Sequence, residues 1–188
     1  MSPLTHDQKK FLLRLARQSL EAVVCGVWLE TPDIPDPIKT PANAFVTLHA
    51  RENLRGCVGF VLAAKPLYQA VMEAAAAAAL EDDRFSPVTP AELSELTVEI
   101  SVLSSFQPVR PEEIRVGIHG LLVTRDRARG LLLPQVAKER RWTALEFLEA
   151  TCRKAGLPPS AWRSGVRIEA FTAEVFSEYS LVGDELQR

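Results

Sequence analysis

The sequence predicts an α+β protein built on a mixed or antiparallel sheet flanked by helices. Several β-prone runs are joined by tight polar turns, amphipathic helical runs fall irregularly among them, and the steady strand-helix-strand rhythm of a doubly wound parallel sheet does not occur. At 188 residues the chain has room for one proper core, and residues 1–188 are expected to fold as a single domain. Its 47% hydrophobic and 24% charged content is that of a globular protein rather than a disordered one.

The elements can be justified in order. Thr5 with Gln8 forms a capping box, and Phe11, Leu12, Leu15, Ala16, Leu20 and Val23 recur at helical spacing until Gly26 ends the run. Prolines at 32, 35, 37 and 41 make Thr31 to Pro41 an extended surface connector. Ala44 to Ala50 and Leu54 to Phe60 read as a hairpin across Arg51-Glu52-Asn53. A helix follows Pro66, with a thin stripe of Leu67, Ala70, Val71, Ala74 and Ala78, and ends around Asp82 or Asp83.

Thr89-Pro90-Ala91-Glu92 is a second capping box, opening a short helix to about Leu96. Val98, Ile100 and Val102 alternate with polar residues, as in a strand with one buried face. Strands are expected at Ile118 to Thr124 and Gly130 to Leu133, the second stopped by Pro134. Thr143 and Glu146 open a helix with Leu145, Phe147, Leu148 and Cys152 inward and Gly156 at its end, and Val166 to Glu178 reads as one or two closing strands.

Composition excludes several classes of function. A formal charge of −2 gives no whole-molecule attraction to nucleic acid or to an anionic membrane. The apolar stretches Val58 to Ala64 and Ala74 to Leu80 are too short to span a bilayer, and the first residues lack a signal-peptide pattern, so the cytoplasm is the expected compartment. Cys25, Cys57 and Cys152 are an odd number without a C-x-x-C pair, arguing for free thiols and against a thiolate zinc site. No phosphate loop, dinucleotide fingerprint, H-E-x-x-H or G-x-S-x-G occurs, and no metal or cofactor is indicated.

The run Leu54-Arg55-Gly56-Cys57-Val58-Gly59 concentrates the candidate chemistry. In a regular strand Arg55 and Cys57 share a face, where a cation lowers a thiol pKa, while Gly56 and Gly59 leave the backbone open to a ligand. The competing reading makes Cys57 a small buried hydrophobe and the glycines a bulge. A catalytic cysteine also needs a base, and His49 can serve only in some registers. A three-residue loop pairs Thr47 with Cys57 and sets His49 diagonally beside it, whereas two-residue loops pair Cys57 with Leu48 or Val46.

Other candidates are spread along the chain. Glu81-Asp82-Asp83-Arg84-Phe85 reads either as a carboxylate cluster for a cation or for proton transfer, or as a helix end where Arg84 pairs with a carboxylate and Phe85 plugs the core. Glu99 is either a general base or a solvated side chain. His119-Gly120 suits a site histidine or an ordinary turn, and Gln135 and Glu139 either line a cleft or cap a short helix. Met72, Trp28, Trp142 and Trp162 read as core or rim packing.

Taken together, Leu54 to Gly59, Asp82 with Arg84-Phe85, Val98 to Leu103, His119-Gly120-Leu121, Leu132 to Ala137 and Cys152 to Leu157 resemble the AMMECR family. The match is collinear and extends from the first helix to Phe176-Ser177-Glu178. The resemblance implies a two-part α+β fold with a smaller α+β subdomain, assigned here to about 42–90, and a cleft near Arg55-Gly56-Cys57. It implies an intracellular protein like protein A of a proposed three-part modification system, with a Memo-like protein and a radical SAM enzyme as partners.

Two functions follow. In the first, Arg55 binds an anionic or carbonyl group, Cys57 is nucleophile or ligand, Glu99 and His119 transfer protons, and Gly56, Gly59, Asp82, Arg84 and Gln135 complete the binding site. In the second, the chain is a non-catalytic adaptor for a peptide or partner domain. One departure bears on the choice. Relatives often carry Asn-Gly in the hairpin turn, where this chain has Arg51-Glu52, and that register pairs Cys57 with Val46 and removes His49 as its base.

Overall fold

The computed structural model describes residues 3–30, 32–60 and 64–180. These form two compact units, one comprising the chain up to Val102 together with the segment from Glu174, the other Leu103–Ala173. Each holds a four-stranded antiparallel sheet with helices, so the predicted α+β class is observed. Residues 42–90, where the smaller subdomain was placed, belong to the larger unit; the chain divides instead after Val102 and after Ala173.

In the larger unit the sheet order is β2-β1-β3-β8, from β1 (Asn43–Ala50), β2 (Asn53–Gly59), β3 (Leu96–Leu103) and β8 (Ala173–Ser177). Helices α1 (His6–Cys25) and α2 (Leu67–Leu80) pack together over it. Thr5 and Gln8 form the expected capping box, and Gly26, at φ +67°, closes α1 in the left-handed conformation that favours glycine. One core joins Leu12, Ala16 and Leu20 of α1 to Val71, Ala74 and Ala78 of α2 and to Val46, Leu48, Val98 and Ile100 of the sheet. Arg17 of α1 pairs with Glu178 just beyond β8, whose carboxylate also accepts the Val98 N–H, so the last strand is tied to the first helix.

The alanine stripe of α2 has a specific consequence. β2 approaches it so closely that a Cβ on Gly56 would lie 2.1 Å from the Ala78 carbonyl oxygen. No side chain fits there, which explains the glycine between Arg55 and Cys57.

The connector differs from its expected form. Asp36–Lys39 makes a 3-10 turn started by Pro37 and closed by the Lys39–Asp36 ion pair, and it drives Ile38 fully into the core. Thr31 lies outside the described residues. Trp28, expected to pack, is 91% exposed.

In the smaller unit the order is β4-β7-β5-β6, with β4 (Gln107–Pro108), β5 (Gly120–Arg125), β6 (Ala128–Leu132) and β7 (Arg167–Phe171). Short helix α3 (Pro134–Glu139) and α4 (Ala144–Lys154) flank it, and Phe147, Leu148 and Cys152 are buried against Leu121 and Val123. The Thr143–Glu146 capping box is present. Leu145, expected inward, is 47% exposed. The fifth strand begins at Gly120 rather than Ile118, because Arg115 to His119 form a hydrogen-bonded turn before it. The tail is two strands, one in each sheet.

Replacing Gly56 with alanine should destabilise the larger unit by about 1–3 kcal/mol, the usual cost of forcing an atom into a packed interface. Chemical denaturation of the purified variant measures this, and an unchanged midpoint would show that β2 and α2 can separate freely.

Candidate functional site

The hairpin register is set by two local features. Arg51 adopts φ +58° in a two-residue Arg51-Glu52 turn that pairs Ala50 with Asn53 and His49 with Leu54. Beyond it the register shifts, so that Leu48 pairs with Gly56, Thr47 with Cys57 and Val46 with Val58. Arg55 is the additional residue of a β-bulge. The register implied by the family's usual turn, Cys57 opposite Val46, is therefore not adopted. The turn is short as expected, and the bulge restores the Thr47 pairing that a three-residue loop would have given.

The bulge breaks the simple alternation that had placed Arg55 and Cys57 side by side. Val46 and Leu48 are buried in the core, so Val58 and Gly56 share their inner face, while Cys57 lies with Thr47 on the other. Leu54, expected on the core side, is 41% exposed. The Arg55 guanidinium turns to Glu92, donating from Nε to Oε1 at 2.8 Å and from Nη2 to Oε2 at 3.3 Å. Its Nη1 is buried without a hydrogen-bond partner among the described residues.

Glu92 is the capping residue of the 90–95 turn and also accepts from the Thr89 backbone N–H and hydroxyl. The Arg55 guanidinium, with those bonds, holds its carboxyl down to about 2.

Cys57 has a different charged neighbour. Its N–H donates to Asp82 Oδ2 at 2.8 Å, and Arg84 grips the same carboxylate through Nε to Oδ1 at 2.8 Å and Nη2 to Oδ2 at 2.6 Å. Arg84 Nη2 also donates to the Cys57 carbonyl at 3.4 Å. Both backbone groups of Cys57 are thus met by the Asp82–Arg84 pair. The Phe85 ring completes the cluster, with the Arg84 guanidinium 5.5 Å and the Arg55 guanidinium 5.9 Å from its centroid. Phe85 is half-buried and carries two cations rather than plugging the core. Asp82, buried, is committed to these donors rather than to a cation site.

The thiol is half-buried and accepts a hydrogen bond from the Thr47 hydroxyl at 3.3 Å. Burial pushes its pKa up, opposed by the Thr47 hydrogen bond and the Arg84 charge and reinforced by the charges of Asp82 and Glu99. Glu99 lies on the outward face of β3, close enough to act on Cys57 electrostatically. His49 shares the face of Thr47 by strand alternation and pairs with Leu54, on the turn side of the bulge.

Arg55, Gly56, Cys57, Gly59, Asp82, Arg84 and Glu99 belong to the larger unit, and His119 and Gln135 to the smaller. Gly59 lies against Phe45, whose ring would meet a Cβ at 2.3 Å. His119 Nδ1 accepts the Arg115 N–H at 3.2 Å, and Gln135 is half-buried in α3. The sequence offered Thr47 as a cross-strand partner of Cys57 in one register, but not its hydroxyl as a donor to the sulfur, and it offered Glu92 as a capping residue but not as the partner of Arg55.

The fold and site define an α+β protein whose outermost strand β2 is closed by an Asp-x-Arg pair at Cys57. The chain belongs to the AMMECR1 family, whose model matches residues 13–176. It is 45% identical to a protein of Methanothermobacter thermautotrophicus, over 94% of this chain and 97% of the relative. It is also 45% identical to one of Thermococcus kodakarensis, over 90% and 89%. Among solved structures, an uncharacterised protein of Pyrococcus horikoshii superposes with a TM-score of 0.86 at 40% identity, covering 90% of this chain and 91% of that one. Among the described residues no helix is long and apolar enough to cross a membrane.

Asp82 supplies a pH-dependent contribution whose sign follows from its shift. Its carboxyl is lowered from 3.8 to about 2, chiefly by the Arg84 hydrogen bond. The stabilisation is therefore complete above 3.8 and is lost as pH falls through that value towards the folded pKa. It amounts to at most about 2.5 kcal/mol. Acid titration of stability should show this loss in the wild type and a flatter profile for Asp82→Asn; equal slopes would disprove the role.

Proposed function

We propose that this chain is a non-catalytic binding module, with the surface around β2 serving partner recognition rather than cysteine chemistry. The observation that carries this reading is the mutual commitment of the charged groups: Asp82 to Arg84 and the Cys57 backbone, and Glu92 to Arg55. A nucleophilic cysteine works as a thiolate beside an uncompensated cation or a base. Here burial raises the thiol pKa, and the nearest cation is already paired.

The cluster has the composition of a recognition surface instead. Arg84 is half exposed over Phe85, and Leu54, next to Arg55 in the chain, is exposed as well. Arginine and aromatic residues are enriched at protein interfaces, and ion pairs formed beforehand lower the ordering cost of binding. In the three-part modification system that the family resemblance implies, such a module would be the subunit that positions others. A Memo-like protein and a radical SAM enzyme are the partners this reading assigns to it.

Alkylation of Cys57 against pH, in a Cys25→Ser background and read by mass spectrometry, tests the proposal. The rate should keep climbing above about pH 8.5, the ordinary cysteine value. Cys57→Ser should retain binding to whichever purified partner the wild type binds. A plateau of fast alkylation below neutrality would overturn the reading and restore the nucleophile.

A further inference from the structure

The smaller unit contains a hollow of about 250 Å³ that the cysteine cluster does not use. Phe171, 2% exposed, lines it together with Ala170 and Pro108, and Phe106 holds the Phe171 ring edge-on at 5.3 Å between centroids. The room for that ring comes from Gly120, where a Cβ would lie 2.2 Å from the Phe171 Cζ. Uncharged polar residues line it beside this apolar floor: His119, Thr172, Ser104, and Gln107, whose amide donates to the Ser105 hydroxyl at 3.3 Å. Because His119 Nδ1 accepts the Arg115 N–H, the neutral ring carries its proton on Nε2, leaving a donor for a ligand.

Three features define the class of occupant. Among the described residues no lysine, arginine, aspartate or glutamate lines the hollow, so a charged ligand would be desolvated without compensation. The volume falls below the roughly 300–1,000 Å³ of sites for drug-sized molecules, and suits one or two fused rings. β4 is the outer strand beside the hollow, and an added peptide strand would meet Pro108, which has no N–H to donate. An apolar floor of Pro108, Val109 and Ala170 over the buried Phe171, with uncharged polar residues at its rim, suits an uncharged ring with hydrogen-bonding edges.

We propose that the hollow formed by Phe171, Pro108, Gln107, His119 and Thr172 binds a neutral heteroaromatic ring of nucleobase type, with His119 Nε2–H donating to a ring acceptor. The inference stands apart from the reading of Cys57 and uses none of its residues.

The test is titration of the full isotope-labelled chain with adenine, uracil and adenosine monophosphate, followed by amide NMR. Saturable shifts are expected at Ser105, Gln107, His119 and Thr172 with at least one base, and the phosphate should add no affinity. Ser105→Trp, which fills the hollow from an exposed position, should abolish the shifts. His119→Phe, which keeps a ring but removes the N–H, should weaken binding by about tenfold, the worth of one hydrogen bond. The inference is overturned if neither base gives saturable shifts at millimolar concentration, if both variants bind as the wild type does, or if the monophosphate binds more than about tenfold tighter than adenine, a charge preference of at least 1.4 kcal/mol.

Discussion

A strand at the edge of a sheet leaves alternate N–H and C=O groups without a partner, and these must meet water, side chains or another chain. In β2 one such outward pair belongs to Cys57, and the Asp82 carboxylate and Arg84 guanidinium take both of its groups. The rest of the larger unit is arranged around that closure. α2 has to end where its C-terminal turn can deliver Asp82 to the strand, and its alanines together with Gly56 set the close approach that makes the reach possible. Phe85, next in the turn, then lies under both guanidinium groups. A short sequence that reads as a candidate for catalysis is also, in three dimensions, a latch between β2 and the turn after α2.

The latch also changes the electrostatics expected at the thiol. A cation two residues away along a regular strand would have favoured thiolate. The bulge at Arg55 sends that cation to Glu92, and the arginine that replaces it beside the sulfur brings its own carboxylate. The net influence is set by burial, and burial favours the protonated thiol. The charged residues of the motif are thus paired with one another, and the recognition role proposed for them rests on that pairing.

Much of the fold was legible in the sequence because its signals are local. Capping boxes at Thr5, Thr89 and Thr143 and the glycine after α1 mark helix boundaries through bonds within four residues, and all are observed. Hairpin register was not legible. It depends on a single extra residue at Arg55, and a bulge leaves no local pattern that separates it from a longer turn. The boundaries of the two units were hidden for a related reason: β8 returns to the first sheet, beside β3, after a whole second sheet has formed between them in the chain. At the candidate site, the pairing of Arg84 with Asp82 was among the readings of the sequence, whereas the partner of Arg55 was not. Glu92 lies 37 positions away, and nothing in its capping motif announces a second partner.

The account turns on Asp82 and Arg84 holding the outer edge of β2 at Cys57, and amide hydrogen exchange at that residue tests it most directly. The Cys57 N–H should exchange slowly in the wild type and lose its protection selectively in Asp82→Ala, with the inner amide of Val58 unchanged. A Cys57 amide that exchanges as fast as an open edge in the wild type, or that stays protected without the carboxylate, would contradict it.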